Sequence, residues 1–276
     1  MSVPFIKTAV IGHPIKHSKS PLIHNHWINE HGLSGEYTAI DIAPENLKEG
    51  VQNLIDQGFT GFNVTVPHKI AIMDLCAEIT PLAKEIGAVN TVTIKDGTLY
   101  GTNTDAYGFI QNVKENVQDK WSVTGQNALV LGAGGAANAI VYALLNENVQ
   151  SITITNRTCE KAENLRSFSP DKITVIDWND RNDACRNAGL IVNTTALGMD
   201  GKPPLEIDLS NAPKETLVTD IVYTPLYTDL LTQARTLNLQ TVTGIGMLLH
   251  QARPGFETWN GIMPNVTQDL ESLILG

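Results

Sequence analysis

Cysteine is scarce in this chain. Cys76, Cys159 and Cys185 stand far apart among 276 residues, and no two form a CxxC pair. An odd count at such wide spacing argues against a disulfide framework and for free thiols in a reducing, cytoplasmic compartment. Basic charge is scarce too. Nineteen Lys and Arg face 29 Asp and Glu, the net charge is −10, and the basic residues form no run. Nucleic acid and anionic membranes are poor partners for such a surface. No apolar run approaches the roughly 18 residues of a membrane helix. The start, "MSVPFIKTAVIG", is too short and strand-like for a signal peptide. There is no repeat of fixed period and no low-complexity tract. Aromatics are few at 6%, but apolar content is 42%, a globular composition for a chain long enough for two domains.

What is present is an alternation of strand and helix patterns. Strand-like pieces are "TAVIG" (8–12), "EYTAIDI" (36–42), "GFNVTV" (61–66), "ALVLG" (128–132), "SITITN" (151–156), "KITVID" (172–177), "LIVNTT" (190–195), "LVTDIVY" (217–223) and "QTVTGIG" (240–246). Helix-like pieces lie between most of them, which implies βαβ units and an α/β fold with parallel sheets. The exception is 89–103, where Asp96-Gly97 predicts a hairpin turn. Pattern changes near 105 and near Gly244-Ile245-Gly246 divide the chain. Residues 1–105 with 246–276 are expected to form one domain, and 106–245 an inserted nucleotide-type domain.

"NALVLGAGGAANAIVYALL" reads as a buried strand, a glycine turn and an apolar helix. Gly132, Gly134 and Ala137 fit G-x-G-x-x-G/A. That pattern supplies a tight turn, close backbone approach to a pyrophosphate, and a small residue where helix meets strand. Free N–H groups at the helix start then face the phosphates. The next strand selects the cofactor. NAD sites carry an acid at its tip, to hold the ribose 2′-OH. Here the tip is Asn156-Arg157-Thr158. Arg157 suits a 2′-phosphate and Thr158 adds a hydroxyl, so NADP is expected over NAD.

In the first domain, Ser20-Pro21 reads as a helix start, with Ser20 as cap, Pro21 at the first helical position and Gly32 at the end. A second hydroxyl, Ser18, precedes it. Capping explains one serine, and a site for a small anion such as a carboxylate explains both equally well. His13, His17, His24, His26 and His31 crowd the first 31 residues. Without a cysteine or carboxylate cluster they make no metal site, and most read as surface or hydrogen-bonding histidines. In "FNVTVPHK" (62–69), Asn63 and Thr65 alternate with apolar residues along a half-buried strand that Pro67 stops, with the helix-like "IAIMDLCAEI" behind. Lys69 stands two residues past the strand end. Asn63, Thr65, Asn90, Lys69 and Asp105 converging on a cleft would suit alcohol–ketone redox chemistry, with a Lys–Asp pair handling the hydroxyl proton. A structural surface pair would leave the same residues.

These stretches, in order, resemble the shikimate dehydrogenase family: "GHPIKHSKSPLIHN", "GFNVTVPHK", "GAVNTV", "TNTDAYGF", "LGAGGAANAI", "TNRT", "NTTALGM", "DIVYTPLYT" and "GIGMLLHQARPGFETW". The resemblance implies an N-terminal α/β substrate domain, an inserted Rossmann-like NADP-binding domain and C-terminal helices that return to the first. It implies NADP-dependent interconversion of shikimate and 3-dehydroshikimate, on the route to aromatic amino acids; the acidic composition is compatible with a monomer and with a homodimer alike. Ser18 and Ser20 would hold the substrate carboxylate. Asn63, Thr65, Asn90 and Gln251 would bind hydroxyls, with Tyr223 nearby, and Lys69 and Asp105 would be the catalytic pair. Gly132, Ala133, Gly134, Gly135, Ala136 and Ala137 would cradle the pyrophosphate. Asn156, Arg157 and Thr158 would take the adenosine end, and Ile221 and Gly244 would lie near the nicotinamide.

Some positions depart from the family pattern. Ala106 and Tyr107 follow Asp105 where glycine is common, Thr195 replaces a frequent serine, and Pro254 is expected to kink the helix that carries Gln251. Two rivals stand beside this reading. One is the related quinate/shikimate dehydrogenase, often NAD-dependent. The other is a non-catalytic module that senses shikimate or quinate.

Overall fold

The computed structural model describes residues 5–117 and 121–276. The very start of the strand-like N-terminus, and part of the polar stretch before Ala128, lie outside the described residues. The chain divides into two compact units, residues 1–104 with 249–276, and residues 105–248.

The first unit is built on a six-stranded sheet. Its strands are β1 (Ile6–Gly12), β2 (Gly35–Asp41), β3 (Gly61–Val64), β4 (Glu78–Ile79), β5 (Thr91–Lys95) and β6 (Thr98–Thr102), in the order β2-β1-β3-β5-β6-β4. Helix α1 (Ser20–Glu30) joins β1 to β2, and α2 (Leu47–Asp56) precedes β3. That makes β2, β1 and β3 parallel. The β5–β6 hairpin is antiparallel and turns at Asp96-Gly97, both at positive φ (50° and 74°), as a two-residue hairpin turn requires. A short helix, α3 (Pro81–Ile86), is capped by Thr80 Oγ1, which accepts from the Ala83 N–H at 3.3 Å.

The second unit has six parallel strands: β7 (Asn127–Leu131), β8 (Ser151–Thr155), β9 (Ile173–Ile176), β10 (Leu190–Asn193), β11 (Leu217–Asp220) and β12 (Gln240–Val242). Their order is β12-β11-β10-β7-β8-β9. Helices α4 (Asp105–Asn116), α5 (Gly135–Asn146), α6 (Cys159–Arg166), α7 (Arg181–Ala184) and α8 (Asp229–Thr236) belong to it. The chain builds outward from β7 in one direction, then returns to β10 and builds in the other. The strand order therefore reverses beside β7, and its carboxyl end is where an open α/β sheet takes a ligand. Helix α9 (Ile245–Asn260) runs through Pro254 without a break, and α10 (Gln268–Leu275) follows.

Residues 249–276 complete the first unit. The Trp259 indole N–H donates to Val92 O at 3.2 Å, and the Trp27 indole N–H to Asn265 O at 3.0 Å. Phe62 and Val64 of β3 enter an aliphatic cluster with Ala9, Ile11, Leu54 and Val92. Asn63, between them, points to the opposite face. A Cβ on Gly61 would run into the Trp259 indole nitrogen and lie 2.6 Å from Val92 O. Gly61→Ala is therefore expected to destabilise the protein by about 1–3 kcal/mol, the range for overpacked cores. A urea midpoint equal to wild type would show that Trp259 moves aside at no cost.

Three local expectations are corrected. The strand at 61–66 ends at Val64, and all four of its residues are buried rather than half-buried, because an apolar cluster covers Phe62 and Val64 on one face and a polar network with Tyr37, Asn90 and Thr91 covers Asn63 on the other. The stretch 70–79 is no α-helix: a 3-10 turn at Ala71–Leu75 leads into β4, whose neighbours bond to the edge of β6 through Ala77 N–H to Leu99 O and Thr80 N–H to Gly101 O. Pro81 then opens a new helix, so only a few residues lie between the two fixed points. Ser20 does not cap α1. Lys19 holds that place without a side-chain bond, and Ser20 is the first helical residue.

Candidate active site and cofactor site

In the first unit, polar side chains meet where β1, β2, β3 and β5 run side by side. Asn63 is buried, and its amide is held from three sides. The Tyr37 hydroxyl donates to Asn63 Oδ1 at 2.6 Å, and Asn63 Nδ2 donates to Asn90 O at 3.2 Å and Thr91 Oγ1 at 3.0 Å. Asn90 extends the network. Its Nδ2 donates to Thr104 Oγ1 at 3.0 Å, and its Oδ1 accepts from the Thr104 N–H at 2.9 Å and Thr91 Oγ1 at 2.9 Å. These groups fix one another's amide orientation, as fully bonded buried networks do. Ser20 is buried and also bonds to the Tyr37 phenol, whose ionisation is pushed well above its usual range by burial. Ser18 Oγ accepts from the Ser20 N–H at 3.3 Å, which leaves the Ser20 hydroxyl free of any capping duty. Thr65 follows β3, half-buried, with its N–H on Ile11 O. Gln251 is half-buried on α9.

Lys69 is carried on the turn that follows. His68, buried beside it, bonds through Nε2 to Ile42 O at 2.6 Å, and the Lys69 carbonyl accepts from the Val89 N–H at 2.8 Å. The turn is thus pinned on both sides, one residue short of Asn90. The Lys69 side chain is half-buried.

His24 departs from expectation. Most of the five N-terminal histidines were expected at the surface or in hydrogen bonds, yet His24 is 1% exposed and neither ring nitrogen has a hydrogen-bond partner. Its ring stacks on Tyr37, centroids 4.0 Å apart and planes 5° apart, with Trp27 at its edge. Burial lowers its pKa to about 3, and the nearby Asn63 amide offsets only part of that. Tyr37, Thr91 and Thr104 show no signal of their own in the sequence, because each also fits an ordinary core or strand pattern. Among the described residues no group of three or more His, Cys, Asp or Glu could hold a metal ion.

In the second unit, Asp105 opens α4 and is buried. The glycine turn lies at the carboxyl end of β7. Gly132, at φ +112°, donates its N–H to Thr155 O at 2.8 Å; a Cβ there would lie 2.6 Å from Thr194 Oγ1. Ala133 is buried, Ala136 is half-buried and Ala137 is buried at the start of α5. Gly134 and Gly135 face open space, with nothing within 4 Å of a Cβ, and no side chain caps α5. Uncapped amides behind an open backbone fit a pyrophosphate. At the tip of β8, Asn156 Nδ2 donates to Thr158 O at 2.9 Å, while Arg157 and Thr158 are exposed. Across the sheet, a Cβ on Gly244 would lie 2.6 Å from the carbonyls of Ile221 and Val222, so those backbones are in contact. Asp220 holds that corner, accepting from Thr228 Oγ1 at 2.7 Å, Asn193 Nδ2 at 2.9 Å and the Val222 N–H at 2.9 Å. Burial nevertheless raises its pKa. Tyr223 follows, half-buried, with its pKa raised by burial.

The sheet order and the open glycine turn define an α/β protein of the doubly wound, nucleotide-binding class, with a second unit built on a mixed sheet. Sequence profiles described as the shikimate dehydrogenase substrate binding domain, shikimate/quinate 5-dehydrogenase and the shikimate 5′-dehydrogenase C-terminal domain match residues 10–92, 113–200 and 244–274. The chain belongs to the shikimate dehydrogenase family. It is 47% identical to shikimate dehydrogenase (NADP(+)) of Methylobacterium radiotolerans, over 100% of this chain and 98% of that one. It resembles the solved shikimate 5-dehydrogenase of Thermus thermophilus in complex with NADP(H) and shikimate (TM-score 0.87, 33% identity, 98% of each chain). It also resembles quinate dehydrogenase from Corynebacterium glutamicum in complex with NAD (TM-score 0.90, 30% identity, 98% of each chain).

Proposed function

We propose that this protein is an NADP-dependent oxidoreductase that interconverts shikimate and 3-dehydroshikimate in aromatic amino-acid biosynthesis. The observation that carries the reaction type is Lys69, held on a pinned turn beside a buried network of amides and hydroxyls. The substrate comes from the full-length likeness to NADP-dependent shikimate dehydrogenases. Ser18 and Ser20 take the substrate carboxylate; Asn63, Thr65, Asn90 and Gln251 take its hydroxyls, with Tyr223 near the ring. Asn63 Oδ1 already accepts from Tyr37, so its remaining lone pair serves a substrate hydroxyl that donates. Lys69 and Asp105 form the acid–base pair that receives and returns the hydroxyl proton. Bound NADP supplies the hydride acceptor. Gly132 to Ala137 hold its pyrophosphate, Asn156, Arg157 and Thr158 its adenosine end, and Ile221 and Gly244 flank the nicotinamide. The three free thiols suit a cytoplasmic enzyme, acting as a monomer or homodimer.

A second reading, quinate oxidation with NAD, is favoured by the likeness to the NAD-bound quinate dehydrogenase. The arginine and the missing acid at the tip of β8 weigh against it. Initial rates with shikimate and quinate, each crossed with NADP and NAD, decide between the two. Arg157→Ala is expected to raise KM for NADP by roughly 10- to 100-fold, the worth of a charge-assisted hydrogen bond, and to leave KM for NAD unchanged. An unaltered NADP-to-NAD preference in that variant would remove Arg157 from the cofactor site.

A further inference from the structure

We propose that Trp178 is a positioning residue for the cofactor: it backs the Arg157 guanidinium, holds it ready for a ribose 2′-phosphate, and so helps set the preference for NADP over NAD. The proposal rests on the reading of Arg157 given above and deepens it.

The sheet brings the two residues together. β8 and β9 are neighbours, with Thr155 opposite Ile176, so Asn156-Arg157 and Asp177-Trp178 leave the same end of the sheet side by side. The Arg157 guanidinium carbon lies 5.9 Å from the centroid of the Trp178 ring, within the distance at which an indole face attracts a cation. The indole is itself held firmly. Trp178 packs against the apolar core of its unit. Asp177 caps the turn, accepting from the Asn179 N–H at 2.8 Å. Arg181 lies over the same ring, 4.8 Å from its centroid, anchored by bonds to Trp178 O at 2.7 Å and Glu206 O at 2.8 Å.

Arg157, by contrast, is exposed, and no carboxylate among the described residues forms an ion pair with it. A long exposed side chain loses rotamer freedom when it grips an anion. An indole that confines it beforehand lowers that cost, and the second guanidinium adds positive charge at the same place. The ribose 2′-OH of NAD carries no charge, so the gain falls on NADP alone.

The test is calorimetric binding of NADP+ and NAD+ to the purified full chain, with folding checked by circular dichroism. The proteins are wild type, Trp178→Met, Trp178→Phe, Arg157→Ala and Arg157→Ala/Trp178→Met. Trp178→Met keeps apolar volume without a ring face, and Trp178→Leu replaces it should that variant not fold. Trp178→Met is expected to weaken NADP+ binding about three- to ten-fold with NAD+ unchanged, and Trp178→Phe to stay within about two-fold of wild type. In the Arg157→Ala background it should add nothing. Equal weakening of both cofactors, no weakening of NADP+, or a full additional loss in the double variant would each overturn the proposal. Unchanged NADP+ binding in Arg157→Ala would instead sink the reading of Arg157 itself, a result distinct from a silent Trp178→Met beside a weakened Arg157→Ala.

Discussion

Lys69→Ala is expected to lower kcat by about 10²- to 10⁴-fold, the contribution of a positioned general acid–base group. The fold should survive. The turn is held by the His68 side chain on Ile42 O and by the Lys69 carbonyl on the Val89 N–H, neither of which uses the lysine side chain. Nor does the substitution open a core cavity, since the side chain is only half-buried. The informative pattern is therefore a collapse of turnover with an unchanged melting transition and retained NADP binding. Turnover near wild type in the folded variant would remove Lys69 from the chemistry, and with it the proposed pairing with Asp105.

Acid should weaken the fold through His24, and the sign follows from its burial. The unfolded chain exposes His24, which takes a proton near pH 6.5; the folded ring resists protonation down to about pH 3. The stability gained by keeping it neutral is complete above pH 6.5 and is lost as pH falls from there towards 3. At pH 5 the loss is roughly 2 kcal/mol, at about 1.4 kcal/mol per pH unit. No charge from the surrounding rings relieves it: Tyr37, Trp27, Phe256 and Trp259 all contact the imidazole. His24→Phe keeps a flat ring and removes the titration. Urea unfolding at pH 7.5 and pH 5.0 should show a drop in stability smaller by about 2 kcal/mol in His24→Phe than in wild type. Equal drops would mean that the folded ring takes up its proton in place.

Most strands were legible because each carries its own local pattern, and the Asp96-Gly97 turn because its chemistry admits few alternatives. The glycine turn was readable for the same reason: Gly132 takes a positive φ that other side chains rarely adopt. The stretch 70–79 was misread because its apolar residues suit a helix, whereas pairing of β4 with β6 decides its form. Asn63 read as a cleft-lining polar residue on one face of its strand, but not as the centre of a buried network with Tyr37, Asn90 and Thr91. Its real surroundings depend on β1 and β5 flanking β3, which no local pattern records. The stack of His24 on Tyr37 and the approach of Trp178 to Arg157 likewise arise from which strands and helices become neighbours. Ser18 and Ser20 were ambiguous between capping and binding because both duties use a hydroxyl beside a helix start: Ser18 Oγ takes the Ser20 N–H, while Ser20 itself lies inside α1 and caps nothing.

The division of the chain has a consequence for its synthesis. Residues 105–248 form a contiguous unit that can close as soon as they leave the ribosome, since domains generally fold as they emerge. The other unit is begun first and finished last. Its mixed sheet must wait for Trp259 to cover Gly61 and for Asn265 to receive the Trp27 indole. Throughout translation of the middle of the chain, this half therefore remains an open sheet, the stage at which a chaperone or a protease would find it.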